Sequence, residues 1–353
     1  TNGEVSYIDN VSVKEYLGQE VVPNSGCGSW LLEPQSTNLI AYSEAFDNAY
    51  WNKFGSSVVN GFSSPSGNLT AFKLVEGTNT GGHYIYSSAI SVSASANHNG
   101  SIFVKSSGRT KIGIRDRGYS ATYATFDLTT ETILDSSGIA AVIIALSNDW
   151  YKIDYTYQSS ASSLSVLALY ILDDTYTSGS PSSLSYTGDG TSGVYIYGAQ
   201  LEQNSYPTSY IPTQGATSTR LQDIANNSGN ASLINSEEGV LYFEGSALSA
   251  SLGFMFASIS ESNNTNRLAI GQNPSGYVTS EFKIGGGVVV NITSSILLSD
   301  GFHKIAYRYA SGYHALYLDG TKVGSANYIP TYPSGTLKEL AFDKGDGTTK
   351  YYG

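Results

Sequence analysis

Strand-sized segments in which every second residue is apolar are the feature that most constrains the fold of this chain. In WYKIDYTYQ (150–158), Tyr151, Ile153, Tyr155 and Tyr157 fall on one face of an extended strand, and polar residues alternate with them. About nine such segments lie between positions 38 and 213, with no apolar pattern of helical period between them. This region is therefore predicted to form two packed antiparallel sheets, specifically a jelly roll. The segments are TAFKLVE, HYIYSSAI, GSIFVKS, TKIGIRD, TYATFDL, AAVIIAL, WYKIDYTYQ, LSVLALYIL and GVYIYGAQLE.

A further block of strand-sized segments begins at Glu237 and is best defined in GFHKIAYRYASGYHALYLDGTKVGSA (301–326). Strands are predicted at His303–Tyr309 and Tyr313–Leu318. The pair Asp319-Gly320 then turns the chain into a third strand, because Asp-Gly tolerates the positive φ of a tight hairpin. The block is therefore predicted to contain a β-meander.

Composition agrees with an all-β chain and excludes two classes of function. Hydrophobic residues make up 40% of the 353 residues, and charged residues make up 13%. A chain of this length is expected to hold two or more cores. Its net charge of -11, without a Lys/Arg cluster, opposes nucleic-acid binding. No apolar run approaches the ~20 residues of a membrane span, so membrane insertion is not expected. The single cysteine, Cys27, excludes an internal disulfide.

Four motifs resemble a carbohydrate-binding-like jelly roll that is common in bacteriophage virion proteins such as head and tail fibres. In chain order they are STNLIAYSEAFDNAYWNK, TFDLTTETILDSSG, NDWYKIDYTY and GVYIYGAQLEQNSYPTSYIPTQGATSTR, and they cover positions 38 to about 220. The block containing GFHKIAYRYASGYHALYLDGTKVGS resembles a concanavalin A-like, laminin-G-like sandwich. Near the N-terminus, SYIDNVSVKEY (6–16) resembles the closing strand of carbohydrate-binding jelly rolls.

These resemblances give an expected division of the chain into tandem antiparallel β-sandwiches. Residues 1–20 are expected to be the terminal strand of a preceding, truncated jelly-roll domain. A linker (21–37), the jelly roll (38–213), a second linker (214–236) and the concanavalin A-like sandwich (237–353) follow. The last of these is expected to lack its final strand.

The family resemblance implies a role on the surface of a virion or outside the cell. The first interpretation is a non-catalytic protein that binds cell-surface or environmental polysaccharide and serves adhesion or capsid decoration. The second is a purely structural virion protein whose sandwiches contact other virion proteins or its own copies in a trimer. The third is a polysaccharide-active enzyme, because concanavalin A-like sandwiches also carry glycosidases.

The residues themselves favour a non-enzyme. A retaining glycosidase needs two carboxylates flanking the scissile bond from one strand face, and no Glu-x-Asp-x-x-Glu string occurs. Glu237 and Glu238 are adjacent and point to opposite faces. Asp173 and Asp174 close the strand LALYIL and are interpreted as a loop start or a cation ligand. No histidine has metal-site spacing, and no G-x-S-x-G motif follows a strand.

Two groups of residues are candidates for sugar binding, which uses aromatic faces and polar side chains. Trp51, with Tyr50 and Asn52 in an early loop, is either an exposed stacking platform or a core anchor. The loop RDRGYSATY brings Arg115, Arg117 and Tyr119 together in a chain that is poor in arginine. A charged hairpin tip is the simpler interpretation of that loop.

Structural calcium is the one cofactor that the sequence suggests. Sandwich domains often hold Ca²⁺ through Asp and Asn side chains and loop carbonyls, which are the hard oxygen ligands it prefers. The loops DGTSGVYIY and FDKGDGTTK have that composition, with Asp189 in the first and Asp343 and Asp346 in the second. Tight turns use the same residues, and neither loop has the twelve-residue spacing of a helix-loop-helix calcium site.

Overall fold

The computed structural model describes residues 23–24, 27–28, 31–118, 122–159, 164–204, 206–246, 254–299 and 301–352. These residues form two compact units, one from 35–221 and the other from 21–34 together with 222–353. The predicted terminal strand in 1–20 lies outside the described residues. Within the described ranges, every strand pairing is antiparallel except one isolated bridge, so the predicted all-β class of tandem antiparallel sandwiches is confirmed.

Six strands form one sheet of the first unit, and strands are numbered in chain order. Adjacent strands in this sheet pair antiparallel. In spatial order they are Ala140–Ala145 (β14), Tyr151–Gln158 (β15), Asn97–Ser107 (β10), Gly193–Glu202 (β19), Ala71–Glu76 (β6) and Ser56–Phe62 (β5). We call it the β19 sheet.

Six further strands form the opposing sheet, which we call the β17 sheet. In spatial order they are Thr132–Ser137 (β13), Tyr123–Asp127 (β12), Lys111–Asp116 (β11), Leu167–Leu172 (β17), His83–Ser87 (β8) and Trp51–Phe54 (β4).

The order of the eight inner strands defines a jelly roll. One sheet contains β6, β19, β10 and β15 side by side, and the other contains β8, β17, β11 and β12. The chain crosses between the sheets at most connections, so strands that are neighbours in sequence face each other across the core. The strands β5 and β14 widen one sheet, and β4 and β13 widen the other.

The core of the first unit follows from the alternation along the strands. Ile153 and Ile196 of the β19 sheet pack in one cluster with Ile112, Phe126 and Leu169 of the β17 sheet, and all are buried. In β19 the core-facing set changes register, from Val194 and Ile196 to Ala199 and Leu201. Gly198 between them has a φ of 61°, which allows the bulge that this change requires.

The segment after β19 folds back over the end of that strand through buried polar side chains. The Gln200 side chain accepts a hydrogen bond from the Ile211 amide at 2.7 Å. The Asn38 amide donates to the carbonyl oxygens of Ala199 at 3.2 Å and Ile211 at 2.8 Å. Glu202 is fully buried and accepts hydrogen bonds from Ser36 and Thr208. These contacts place the Tyr/Pro-rich stretch after β19 within the first unit.

Eight short strands form four small pairs. Two of these pairs fall in segments that the sequence predicted to be linkers. Pro23–Asn24 (β1) pairs with Cys27–Gly28 (β2), and Ser36–Asn38 (β3) pairs with Ser218–Arg220 (β20). Thr80–Gly81 (β7) pairs with Tyr186–Thr187 (β18), and Ile90–Ser91 (β9) pairs with Leu164–Ser165 (β16).

The second unit is a sandwich of a four-stranded and a five-stranded sheet. The four-stranded sheet contains Gly239–Gly245 (β21), His303–Ala310 (β26), Tyr313–Leu318 (β27) and Thr321–Ala326 (β28). The other contains Gly287–Leu297 (β25), Tyr277–Ile284 (β24), Arg267–Gln272 (β23), Phe254–Ser260 (β22) and Glu339–Ala341 (β29).

The predicted meander is present in this second sandwich. β26, β27 and β28 are consecutive antiparallel strands, and Asp319 and Gly320 both have positive φ at the turn, 49° and 81°. Alternation again fills the core, since Ile305 and Tyr307 pack with Leu268 and Phe282 of the facing sheet. Among the described residues, no helix is long and apolar enough to cross a membrane.

Candidate functional site

The outer face of the β17 sheet carries two parallel rows of side chains that cross the strands. Strand register fixes both rows, and the alternate residues of the same strands face the core. The first row contains Asn52, Tyr86, Ala168, Arg115 and Tyr123. The second row contains Phe54, Tyr84, Tyr170, Gly113 and Thr125.

Three aromatic rings in the second row stack on one another. The centroids of Phe54 and Tyr84 are 4.9 Å apart with an interplanar angle of 20°, and those of Tyr84 and Tyr170 are 4.4 Å apart at 28°. These separations are close to the spacing of neighbouring strands, so rings in one row meet face to face. Phe54 ends the row on the edge strand β4 and is 52% exposed, although it is a large hydrophobic residue.

Arg117 lies over the neighbouring tyrosines. The centre of its guanidinium is 4.2 Å from the ring centroid of Tyr86 and 5.2 Å from that of Tyr84. Its backbone amide donates to the Val166 carbonyl at 2.8 Å, which holds the end of β11 beside β17. Burial raises the pKa of Tyr170, and this effect outweighs the lowering by the positive charges of Arg115 and Arg117. The face therefore combines aromatic rings with two guanidinium groups.

The segment 173–184 covers the middle of this face. Pro181 packs on Gly113, where an added Cβ would lie 2.7 Å from the Pro181 side chain. The Gly179 amide donates to a carboxylate oxygen of Asp135 at 2.7 Å and so ties the segment to β13. The open part of the face is consequently the side formed by β4 and β8.

The sequence-predicted residues divide between this face and the core. Asn52 and Arg115 lie in one row on the outer face, separated by Tyr86 and Ala168, and Arg117, just after β11, lies over Tyr86. Trp51 does not join them, so the prediction of an exposed platform is wrong and the core-anchor alternative holds. Trp51 is 2% exposed and donates from its indole nitrogen to the Tyr42 carbonyl at 2.7 Å.

The physical reason for this correction is strand alternation. Residues 51–54 form β4 rather than a loop, so Trp51 points into the core and Asn52 points out. Tyr50 is partly buried against Trp51, with ring centroids 5.6 Å apart, and burial raises its pKa. Tyr119 lies outside the described residues.

The sequence interpretation missed Phe54, Tyr84 and Tyr86. A signal existed, because WNKF places residue 54 on the same face as residue 52, and HYIYS places both tyrosines on one face. What the pattern did not contain is the register that aligns β4 with β8.

The calcium candidates hold turns closed in the structure. Both carboxylate oxygens of Asp189 accept hydrogen bonds, from Thr191 and from Ser192, and these bonds lower its pKa. Asp343 accepts from the Gly345 amide and Asp346 from the Thr348 amide. Within the described ranges, no group of three or more His, Cys, Asp or Glu side chains is arranged to hold a metal ion. Calcium binding stays a prediction.

A separate open cleft of about 600 Å³ lies in the first unit. Two carboxylates, Glu44 and Asp47, line it together with Asn60 and Gln214. One Glu44 oxygen accepts hydrogen bonds from the hydroxyl groups of two tyrosines, Tyr197 and Tyr210. The aromatic residue in its lining is Phe72, which is buried, so the cleft does not supply a stacking surface.

Comparisons with known proteins give distant structural similarity alone. No family model matches the chain, and no curated protein matches it. The mouse laminin alpha1 chain, domains LG4-5, is 10% identical over 98% of this chain and 91% of that chain, with a TM-score of 0.24. The LG1-3 region of the laminin alpha2 chain is 11% identical over 80% of this chain and 60% of that chain, with a TM-score of 0.21. Similarity at this level supports no inference about the site.

Proposed function

We propose that the chain is a non-catalytic glycan-binding protein that holds sugar on the outer face of the β17 sheet. The residues in contact with sugar would be Asn52, Phe54, Tyr86 and Arg117. The observation that carries this proposal is the exposure of Phe54 at the open end of a stacked aromatic row. Its neighbour across the strands is the stacked ring of Tyr84, and its same-face neighbour along β4 is the polar residue Asn52.

The chemistry of this face suits a saccharide. The C–H face of a pyranose ring packs on an aromatic ring, and hydroxyl groups exchange hydrogen bonds with amide and guanidinium groups. Asn52 supplies both a donor and an acceptor, and Arg117 supplies donors alone. Because strands fix Phe54, Asn52 and Tyr86, little ordering accompanies binding, and this favours affinity.

The setting that we propose is a virion surface or another extracellular location, with adhesion to cell-surface or environmental polysaccharide as the role. Support comes from the four motifs between positions 38 and 220 and from the jelly-roll strand order. We also propose that the chain has no catalytic activity. Asp173 accepts from the Thr175 amide, and Asp174 accepts from Thr110 and Arg109, which accounts for the carboxylate pair without a catalytic role.

A structural role in subunit contact is the second candidate, and one observation favours it. The edge strand β14 has no charged residue, and its Val142 and Ile144 are 52% and 41% exposed. Ile133, on the edge strand β13, is 41% exposed. Uncharged edge strands with exposed aliphatic side chains pair readily with other chains. Light scattering of the intact chain and of Val142→Lys would show whether β14 joins copies.

The test of glycan binding is a glycan-array screen of the intact chain, followed by calorimetric titration of any hit. Phe54→Ala is expected to weaken binding about tenfold or more, in the range of a lost stacking contact. Phe302→Ala is the matched control, since Phe302 is 62% exposed and lies in the second unit. Equal binding by wild type and Phe54→Ala would refute the assignment of the face.

Two additions to the same screen test the predicted role of calcium and the proposed lack of catalytic activity. Repeating it in EDTA shows whether calcium supports binding. Incubating the chain with each bound polysaccharide and measuring new reducing ends tests the non-catalytic assignment, because hydrolysis would release them.

A further inference from the structure

We propose that the glycan bound on the β17 face is acidic, with its carboxylate paired to Arg117. This inference rests on the proposed function and names the class of saccharide that the same site takes. The determining feature is a guanidinium group held on aromatic rings, with which no carboxylate of the described residues forms an ion pair.

The charges around this face differ from those of the whole chain. The chain has 18 Lys and Arg against 29 Asp and Glu. Even so, among the described residues no Asp or Glu oxygen lies within 4 Å of the Arg117 guanidinium. Asp135 lies beside Thr125 on β13, at the edge of the sheet opposite to β4. Its carboxylate accepts from the Tyr123 hydroxyl at 3.2 Å and from the Gly179 amide.

The position of Arg117 suits a carboxylate more than a hydroxyl group. The guanidinium centre lies within 5.2 Å of the ring centroids of Tyr86 and Tyr84, and this cation–π contact restrains the planar group. A carboxylate accepts two parallel hydrogen bonds from such a group, and these charge-assisted bonds are about twice as strong as neutral ones. A sugar packed on Phe54 or Tyr86 would bring an acid group on its ring to this guanidinium.

Charge complementarity is therefore local. With a net charge of -11, the chain repels an anionic polymer at long range, but salt screens that repulsion beyond about 8–10 Å. At contact distance a polymer on the open part of the face meets the Arg117 guanidinium, which lies over Tyr86 and Tyr84. A neutral polysaccharide would gain less from this side chain.

The test compares polyuronates with their carboxyl-reduced counterparts, which keep the sugar backbone and lose the charge. Polygalacturonate, alginate and a glucuronate polymer are titrated into the intact chain at 0.05 M and 0.5 M NaCl, each beside its reduced form. At least one acidic polymer is expected to bind tenfold more tightly than its reduced form, and high salt should reduce that difference. A sulfated neutral polymer shows whether carboxylate or charge alone is recognised.

Arg117→Gln is expected to abolish the preference, so that acidic and reduced polymers bind alike. Arg117→Lys keeps the charge without the planar fork and should retain part of the preference. Arg308→Gln is the matched control, because Arg308 stacks on Tyr313 at 4.8 Å in the second unit. Circular dichroism of each variant confirms folding.

The outcomes separate the two proposals. Equal binding of acidic and reduced polymers by the wild type, or an undiminished preference in Arg117→Gln, overturns the acidic assignment and leaves glycan binding standing. Binding of sulfated and carboxylated polymers alike overturns the carboxylate pairing. If no polymer binds and the glycan array is also negative, the proposed function fails together with this inference.

Discussion

Arg109 forms two parallel hydrogen bonds with the buried carboxylate of Glu76, 2.9 Å from Nε to Oε2 and 2.7 Å from Nη2 to Oε1. Glu76 also accepts from the Tyr186 hydroxyl at 2.8 Å and from the Asp189 amide at 2.9 Å. Burial raises the pKa of Glu76, but these four hydrogen bonds outweigh burial and lower it. The pair joins β6 to the turn between β10 and β11.

Removing Arg109 would leave a buried charge without its partner. Arg109→Met is expected to lower the free energy of unfolding of the first unit by about 3–5 kcal/mol. Urea denaturation at pH 7 measures this loss. Because the folded pKa of Glu76 is lowered, the wild-type contribution is present above its ordinary value of 4.5 and is lost as pH falls through the folded pKa.

Two comparisons make that prediction specific. Adding Glu76→Gln to Arg109→Met removes the unpaired charge and should recover part of the lost stability. Lys304→Met breaks the exposed contact with Glu244, whose charged atoms are 3.9 Å apart, and should change stability by less than about 1 kcal/mol. Equal losses of stability in Arg109→Met and Lys304→Met would contradict the argument that an ion pair with a buried carboxylate stabilises the fold more than an exposed pair does.

Asn38 satisfies four backbone groups around the end of β19. Besides its two donated bonds, its side-chain oxygen accepts from the Ile40 and Leu201 amides at 3.1 and 3.2 Å. Asn38→Ala would leave these buried groups unpaired, each at a cost of about 1–3 kcal/mol, so a loss of at least ~3 kcal/mol is expected. Thr37→Ala serves as control, since the Thr37–Thr219 hydroxyl contact is exposed. A comparable loss in both variants would argue against the role of Asn38.

Gly100 leaves room for a tyrosine ring from the neighbouring strand. A Cβ at this position would lie 2.1 Å from Cζ of Tyr155, the residue directly opposite. Gly100→Ala must displace this buried ring and is expected to destabilise the first unit by about 1–3 kcal/mol. In a Tyr155→Val background the same substitution should cost much less, a coupling that a double-mutant cycle measures. Gly287→Ala, with space around it, is the control.

The strands of the fold were predictable where alternation was long and unambiguous. WYKIDYTYQ matches β15, and of the four residues predicted to share one face, Ile153, Tyr155 and Tyr157 are buried in the core and Tyr151 packs against it partly buried. The alternation of apolar residues did not predict β4 and β5, because Gly55 separates them and β4 is only four residues long. A segment that short resembles a loop until a neighbouring strand pairs with it.

The candidate site was partly predictable for a different reason. Arg115 and Arg117 were noticeable because the chain has few cations, and Asn52 because of its aromatic neighbours. Tyr84 and Tyr86 were not, since 28 tyrosines leave no single one informative. The site depends on β4, β8 and β11 aligning in register, and that alignment is decided by tertiary pairing rather than by local pattern.

A buried histidine is expected to make the second unit sensitive to acid. His314 is fully buried, its ring centroid is 4.7 Å from that of Phe282, and its Nδ1 is 2.8 Å from the Tyr307 hydroxyl oxygen. Burial lowers its pKa below the ordinary 6.5. The unfolded chain therefore binds a proton more readily than the folded one. Stability falls as pH drops below about 6.5 and continues to fall until the folded pKa is reached, by at most about 1.4 kcal/mol per pH unit.

Hydrogen exchange of the β26 and β27 amides at pH 7.5 and 5.5 reports this loss locally, above the range in which most carboxylates titrate. His314→Gln keeps a partner for Tyr307 and should make protection in these strands less dependent on pH, although its absolute stability is lower. His303→Gln, which removes a more exposed ring beside Asp319, should leave the acid sensitivity in place. If His314→Gln loses as much protection between the two pH values as the wild type does, the sensitivity belongs to another group.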